Sequence, residues 1–109
     1  QDKVRAACSR HGLAVTAYCP IARNKVADEP VMQEIAVRHD ASPAQIALAW
    51  LAGLGVVISI PRSSKPERLA ANLKALQISL NQEEMEKINS LGSRNTRLVD
   101  PESVRPDWD

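Results

Sequence analysis

The sequence has 109 residues, of which 44% are hydrophobic and 25% charged, a composition that indicates one globular unit rather than a disordered chain. Its 14 basic and 13 acidic residues give a net charge of +1, too small for a general attraction to nucleic acid or an anionic membrane. The two cysteines, Cys8 and Cys19, lack the spacing of a disulfide framework or a C-x-x-C pair, and we find neither a signal peptide nor an apolar run near the roughly 20 residues of a membrane helix. We therefore expect a reduced, cytoplasmic protein with no nucleic-acid or membrane partner.

Helices and short strands alternate along the first part of the chain. Residues 2–11 are predicted as a helix that stops before Gly12. Because this helix begins at once and the first residue is not methionine, we expect a piece of a longer protein. The segment LAVTAYCP, residues 13–20, is short and apolar and ends in proline, which predicts a strand buried on both faces. The polar loop ARNKVADE then leads to a helix from about Pro30 to His39.

The next helix carries a clear start signal. Ser42 and Gln45 form the S-x-x-Q pattern of a capping box, with Pro43 at the first helical position. This helix, through Ala52, is apolar almost all round and is predicted to be buried. Its buried side chains should include Ile46, Leu48, Trp50 and Leu51. The run VVISIP, residues 56–61, predicts a second strand buried on both faces.

Two more helices and a tail complete the chain. Ser64 and Glu67 form a second predicted capping box. Three leucines at helical spacing should then face the core: Leu69, Leu73 and Leu76. A last helix is predicted from Asn81 to Leu91. Residues 93–109 show no periodicity and are predicted as a docked or mobile tail.

Strands joined by helical crossovers predict a parallel α/β arrangement. Two apolar strands alone leave two open edges, and such strands normally belong to closed barrels or wide sheets. The element order fits the last two βα units of a (β/α)8 barrel with a C-terminal helix and tail. We therefore expect residues 1–109 to be a single partial domain.

The stretch ISIPRSSKPERLAANL, residues 58–73, joins a strand end to a helix start, where free N–H groups and the helix dipole favour an anion. Two serines and three cations converge on this joint: Arg62, Ser63, Ser64, Lys65 and Arg68. Two interpretations remain open at this point. The cluster is either a phosphate site or a capped helix with solvated surface cations. The sequence contains neither a Rossmann G-x-G-x-x-G nor a P-loop pattern.

Two stretches carry a family resemblance: AVTAYCPIA, residues 14–22, and IPRSSKPERLAANL, residues 60–73. They strongly resemble the seventh and eighth strand regions of the aldo-keto reductases, NADPH-dependent (β/α)8 barrels that reduce aldehydes and ketones. The ending NTRLVDPESVRPDWD is similar to the bacterial diketo-gluconate reductase branch. The resemblance implies the C-terminal portion of such a barrel, NADPH as cofactor, and a small carbonyl substrate such as a keto-sugar acid.

The first motif implies contacts to the nicotinamide half of NADPH. Tyr18 matches the aromatic residue on which the nicotinamide ring stacks, whereas its residue type alone would also suit a core tyrosine. Cys19, Ile21 and Arg23 match the loop along the pyrophosphate. Cys19 replaces a serine that is frequent in the family, so this chain has no side-chain hydroxyl at that position.

The second motif implies contacts to the adenosine half. Arg62, in place of the usual lysine, matches with Ser63 and Arg68 the clamp on the adenosine 2′-phosphate, and arginine grips phosphate in bidentate fashion. Asn72 matches the residue that hydrogen-bonds adenine. Ser64 occupies a position where an aromatic residue is often found, so the adenine pocket departs there from the family pattern.

The family's four catalytic residues, an aspartate, a tyrosine, a lysine and a histidine, have no match in this sequence. Neither His11 nor His39 fits, since each lies at a helix end where it favours the dipole. We therefore predict that the chain alone does not reduce carbonyls and that its partner is the missing N-terminal half of the barrel. In the tail, Arg105 and Trp108 are predicted substrate contacts, or else the tail packs outside the barrel.

A different class of function is a non-catalytic α/β interaction module that kept the phosphate site. A third interpretation is an ordered remnant of a truncated barrel. An evolved module should carry charges on the outward faces of its strands. Since LAVTAYCP and VVISIP carry none, the sequence favours the remnant over the module.

Overall fold

The computed structural model describes residues 2–55 and 57–92. In chain order its elements are α1 (Asp2–Arg10), β1 (Val15–Ala17), a 3-10 segment (Ala22–Asp28), α2 (Pro30–Arg38), α3 (Pro43–Gly53), β2 (Val57–Ser59), α4 (Pro66–Lys74), a second 3-10 turn (Ala75–Gln77) and α5 (Gln82–Leu91). The predicted alternation of helices and strands is confirmed. The predicted tail, residues 93–109, lies outside the described residues. None of the described helices combines the length and apolar character needed to cross a bilayer.

The two strands pair in parallel, with Val15 opposite Val57 and Ala17 opposite Ser59. Each strand has three residues and is therefore shorter than the predicted runs. The prediction that both faces are buried is wrong for this chain. The middle residues of the two strands, Thr16 and Ile58, pair with each other and are open to solvent, with Ile58 52% exposed. Helix α3 contacts β2, and the residues flanking Thr16 and Ile58 in the two strands are half-buried.

The main core lies among helices rather than on the sheet. It joins α2, α3 and α5 through six buried side chains: Met32, Ile35, Ala36, Ile46, Ala47 and Ile88. Ile35 and Ile46 are completely buried, and each such side chain contributes about 1.5–3 kcal/mol of burial free energy. The predicted burial of Leu48 and Leu51 is confirmed. Trp50 is only half-buried, because its indole Nε1–H reaches the Asn89 carboxamide oxygen at 2.9 Å.

The predicted capping box of α3 is confirmed. The Ser42 side chain accepts a hydrogen bond from the Gln45 N–H, and the Gln45 side chain accepts one from the Ser42 N–H. Helix α5 begins with an equivalent box between Asn81 and Glu84, which our sequence interpretation did not identify. Its signal was present, since N-x-x-E has the spacing of a capping box.

The predicted capping box between Ser64 and Glu67 is wrong. Helix α4 begins at Pro66, and its N-cap is Lys65, without a side-chain cap. The reason is Pro66, because a proline holds the residue before it in extended conformation, and Lys65 has φ −104° and ψ 118°. The helix therefore starts one residue later than it would if Ser64 were its N-cap.

The leucine stripe of α4 also differs from the prediction. Leu69, Leu73 and Leu76 are 48%, 70% and 68% exposed. Helix α4 contacts α3, but this contact leaves about half or more of each leucine side chain open to solvent. Ala75, at the end of α4, is instead the residue that is completely buried.

Candidate functional site

The carboxyl ends of the two strands form the centre of the candidate site. Since β1 and β2 are parallel and in register, their last residues, Ala17 and Ser59, lie side by side. Neighbouring strands are about 4.8 Å apart. The structure therefore brings Tyr18, directly after β1, next to the segment that leads from β2 to Arg62 and Ser63. The two motifs, more than 40 residues apart in the sequence, meet at one edge.

Tyr18 presents an open aromatic face at this edge. Its side chain is 72% exposed, so the interpretation as a core tyrosine is wrong. Thr16, two residues earlier in β1, is exposed as well. Most of the Tyr18 side chain is therefore accessible to a flat ring from solvent.

The loop after Tyr18 has an unusual backbone. Four residues without a glycine's freedom have positive φ: Cys19, Ala22, Arg23 and Asn24, with φ between 52° and 70°. A left-handed conformation costs such a residue roughly 1–2 kcal/mol. Two backbone hydrogen bonds of 2.8 Å, from Ala22 to Cys19 and from Asn24 to Ile21, hold the turns. Cys19 and Ile21 are half-buried, while Arg23 is exposed, so the loop keeps a defined shape with its cation outward.

The cations of the second motif are exposed and form no ion pair with a described acidic side chain. Arg62, Lys65 and Arg68 are exposed, and within the described ranges none of them forms an ion pair. Ser63 is half-buried, and its Oγ accepts a hydrogen bond from the Lys65 N–H at 3.1 Å. Ser64 is exposed. These groups surround the start of α4 with positive charge.

The helix start itself offers fewer free amides than the sequence led us to expect. Pro66 has no N–H, and the Lys65 N–H is already bound to Ser63. The Arg68 N–H donates to the Lys65 carbonyl at 3.0 Å. An anion at this joint would therefore be held mainly by side chains.

Asn72 lies one helical turn beyond Arg68 on the same side of α4. It is half-buried and borders a cavity of about 330 Å³ between α3, β2 and α4. Most of the wall is apolar and includes Leu48, Val57 and Leu69. Among the predicted cofactor contacts, only Asn72 borders this cavity, so the cluster of cations at the strand ends is a separate surface.

The sequence pattern did not reveal a buried acid. Glu84, with a side chain only 3% exposed, lies with its two oxygens 3.1 and 3.0 Å from Nε2 of His39. Burial raises the pKa of the Glu84 carboxyl. Hydrogen bonds from His39 and from the Asn81 N–H, with the charges of His39 and Arg38, outweigh burial and hold this pKa below its usual 4.5. The pair joins the end of α2 to the start of α5.

The remaining predicted residues have simple positions. His11 follows the end of α1 and is exposed, and His39 is the C-cap of α2. Arg105 and Trp108 lie outside the described residues. In the described part of the chain, no group of three or more histidine, cysteine, aspartate or glutamate residues is arranged to hold a metal ion.

Comparisons with known proteins identify the family. The model of the aldo/keto reductase family matches residues 1–93. The chain is 42% identical over 107 residues to methylglyoxal reductase DkgB of Escherichia coli O157:H7, covering 98% of this chain and 39% of that protein. It is 44% identical over 100 residues to methylglyoxal reductase DkgB of Yersinia pestis, covering 92% of this chain and 37% of the relative. The chain thus spans well under half the length of these relatives.

Solved structures give the same result for the fold. A putative 2,5-diketo-D-gluconic acid reductase B superposes with a TM-score of 0.92 at 35% identity, over 100% of this chain and 39% of that one. The Bombyx mori aldo-keto reductase, solved in complex with NADP, superposes with a TM-score of 0.84 at 29% identity, over 99% of this chain and 38% of that one. The predicted fold, an α/β portion of a (β/α)8 barrel, is confirmed.

The relatives are oxidoreductases, and the predictions that the family is enzymatic and uses NADP(H) are confirmed. Since the family model covers residues 1–93 and the fold matches along its whole length, this chain belongs to the aldo/keto reductase family.

Proposed function

We propose that this chain is the NADPH-binding portion of an aldo-keto reductase that transfers a hydride from NADPH to an aldehyde or ketone. The observation that carries the proposal is the parallel pairing of β1 with β2, which places Tyr18 beside the segment leading to Arg62 and Ser63. The names of the relatives, methylglyoxal reductase and diketo-gluconic acid reductase, support small carbonyl compounds, including keto-sugar acids, as substrates.

The nicotinamide half of the cofactor would contact the edge after β1. The exposed ring of Tyr18 offers a planar face for stacking against the nicotinamide. The loop with Cys19, Ile21 and Arg23 would follow the pyrophosphate, with Arg23 supplying a positive charge. Because this loop holds its turns with its own hydrogen bonds, its shape does not depend on the ligand.

The 2′-phosphate would be held by Arg62, Ser63 and Arg68. The two guanidinium groups have no ion pair within the described ranges, so binding a phosphate would not require breaking one. Ser63 Oγ uses a lone pair for the Lys65 N–H, which leaves its hydroxyl hydrogen for a phosphate oxygen. Asn72 would bond the adenine, and the exposed Ser64 would lie near it in place of an aromatic residue.

The chemistry would be divided between this chain and polypeptide outside it. NADPH supplies the hydride, and this chain binds the cofactor and fixes the plane of its reactive ring. We propose that the aspartate, tyrosine, lysine and histidine of the family's catalytic site come from the missing N-terminal half of the barrel. Neither described histidine is suited to the task, since His39 is committed to Glu84 and His11 follows α1. Arg105 and Trp108 would contact the carbonyl substrate.

We further propose that residues 1–109 form one partial domain, with 93–109 as its tail, in a cytoplasmic enzyme. Since this chain lacks the catalytic residues, it should bind NADPH but should not reduce a carbonyl substrate.

The proposal is tested by titrating the purified chain with NADPH and, separately, with NADH, following the fluorescence of Trp50 and Trp108. We expect saturable binding that prefers NADPH, because the 2′-phosphate adds charge-assisted hydrogen bonds. A parallel assay with methylglyoxal should show no oxidation of NADPH. A folded chain that binds neither nucleotide would sink the proposal and favour the interaction module.

One observation favours the remnant interpretation as the second candidate. The uncovered sheet face exposes Ile58 and Ile60, at 52% and 56%, and both are apolar. A chain with such a face should associate with itself in solution. Sedimentation velocity separates the remnant from the interaction module, since a module should be monomeric at micromolar concentration, whereas a remnant should form dimers or larger species.

A further inference from the structure

Helix α4 carries the proposed contacts Arg68 and Asn72, yet it is held loosely. None of its residues from Pro66 to Lys74 is buried. Its leucines are exposed, and its cations form no ion pair in the described part of the chain. Something must therefore fix the position of this helix if its side chains are to meet a ligand in a defined geometry.

One side-chain hydrogen bond connects α4 to α3. The Gln45 Nε2 donates to the Ala71 carbonyl at 3.0 Å. Within residues 2–55 and 57–92, it is the single side-chain hydrogen bond between α4 and another helix. Ala71 directly precedes Asn72, so the bond acts on the turn that carries the proposed adenine contact.

The Ala71 carbonyl is available because the helix changes its pattern there. In a regular α-helix it would accept from the N–H of Ala75, four residues later. Here the Ala75 N–H turns to the carbonyls of Asn72 and Leu73, since the chain tightens into the 3-10 turn Ala75–Gln77. Gln45 thus supplies the donor that the helix no longer provides.

The orientation of Gln45 is fixed from its other side. Its Oε1 accepts from the Ser42 N–H at 3.0 Å and from the Ser42 hydroxyl at 3.1 Å. Because the oxygen is committed to the N-cap of α3, the NH2 group of the same amide must face α4. A single side chain therefore caps one helix and tethers the next.

From this geometry we propose that Gln45 is a positioning residue for the adenosine half of NADPH, acting through Ala71 on Asn72. The inference rests on the proposed function, since it assigns a role within the same site. Gln45 does not touch the cofactor. It sets where the second turn of α4 lies relative to β2, and with it the distance from Asn72 to the adenine.

Two substitutions separate the tether from the cap. Gln45→Glu keeps an oxygen for the Ser42 N–H but replaces the donor facing Ala71 with an acceptor. Ser42→Ala removes the capping hydroxyl and leaves both the Gln45 Oε1 contact to the backbone N–H and the tether in place. If Gln45→Glu does not fold, Gln45→Met removes the tether without placing a charge there.

The test measures Kd of the full chain for NADPH and for adenosine 2′,5′-bisphosphate, which lacks the nicotinamide. Gln45→Glu or Gln45→Met should raise both Kd values by the same factor, about fivefold to tenfold, the effect of losing one hydrogen bond. Ser42→Ala should leave both unchanged. Amide hydrogen exchange at residues 72–75 of the free chain should be faster in the Gln45 variants alone.

The outcomes distinguish this inference from the proposed function. If the wild-type chain binds NADPH and the Gln45 variants bind it equally well, the tether has no positioning role. An equal loss in the Gln45 variants and in Ser42→Ala would assign the effect to the stability of α3 and overturn the inference. If the wild-type chain shows no saturable binding of NADPH, the proposed function is overturned, and the cofactor role of Gln45 with it. This holds even if hydrogen exchange at residues 72–75 is faster in the Gln45 variants.

Discussion

The carboxylate of Glu84 lies 3.0 Å from Nε2 of His39, across 45 residues of sequence and inside the protein. This contact joins the end of α2 to the start of α5, and Arg38 places a positive charge 3.7 Å from the same carboxylate. Since Glu84 also accepts from the Asn81 N–H, one side chain completes a helix cap and makes an interhelical hydrogen-bond contact with His39.

Replacing Glu84 with glutamine should lower the free energy of unfolding at pH 7 by about 2 kcal/mol, because a buried charged partner is removed from His39. The pKa of Glu84 is lowered in the folded state, so its contribution is complete above about 4.5 and is lost as pH falls through the folded value. Urea unfolding from pH 7 to pH 3 should show wild type and Glu84→Gln converging. Glu86→Gln, at an exposed position on the same helix, is the control and should change little. If the free energy of unfolding of the wild type exceeded that of Glu84→Gln by more at pH 3 than at pH 7, the lowered pKa of Glu84 would be contradicted.

The helix caps give a matched comparison. Ser42→Ala and Asn81→Ala each remove a side-chain cap and should each lower the free energy of unfolding by about 1 kcal/mol. Ser64→Ala should stay within about 0.5 kcal/mol of wild type, since α4 is not capped by Ser64. Thermal or urea unfolding measures all three. If Ser64→Ala lowered the free energy of unfolding as much as Ser42→Ala, α4 would begin earlier than the structure places it.

The proposed phosphate clamp predicts a cofactor-specific loss. Arg68→Ala should raise Kd for NADPH about 10-fold to 100-fold, the effect of losing a hydrogen bond to a charged group, and should leave Kd for NADH nearly unchanged. Lys74→Ala removes an equal charge from the other end of α4 and controls for general electrostatics. The effect of Arg68→Ala should shrink in high salt, because exposed charges are screened. If Arg68→Ala raised Kd equally for NADPH and NADH, Arg68 would not contact the 2′-phosphate.

Stacking on Tyr18 makes a different prediction. Tyr18→Phe keeps the π-face and should bind NADPH within about twofold of wild type, whereas Tyr18→Ala should raise Kd about tenfold, in line with the 0.5–1.5 kcal/mol of an aromatic pair. Fluorescence titration of both variants measures the difference. The exposed position of Tyr18 means that neither change should alter the free energy of unfolding. A large loss in Tyr18→Phe would indicate a role for the hydroxyl instead.

Local signals in the sequence determined the order of elements. The stop of α1 at Gly12, which has φ 66°, and the start of α3 at Ser42 depend on groups within a few residues, so a sequence pattern contains the whole cause. The same locality explains why the predicted start of α4 was wrong by one residue. The competing local signal, Pro66, outweighed the apparent capping box, and that signal was also in the sequence.

For the candidate site, the sequence and the tertiary structure contributed different parts. The residue types of the two motifs and their family resemblance came from the sequence, but that they share one edge depends on the pairing of Val15 with Val57, more than 40 residues apart. Which face of each strand is covered was equally beyond the pattern, because an apolar run is the same whether helices pack on one side or on both.

The sequence by itself determined the helices, the two strands, the family and the residues proposed to hold a cofactor, because each depends on neighbouring residues or on a matched motif. Only the tertiary structure decided that Glu84 meets His39, that Gln45 replaces a helix donor at Ala71, and that the leucines of α4 stay exposed. These depend on distances between helices, and such distances are set by packing over the whole chain rather than by any local pattern.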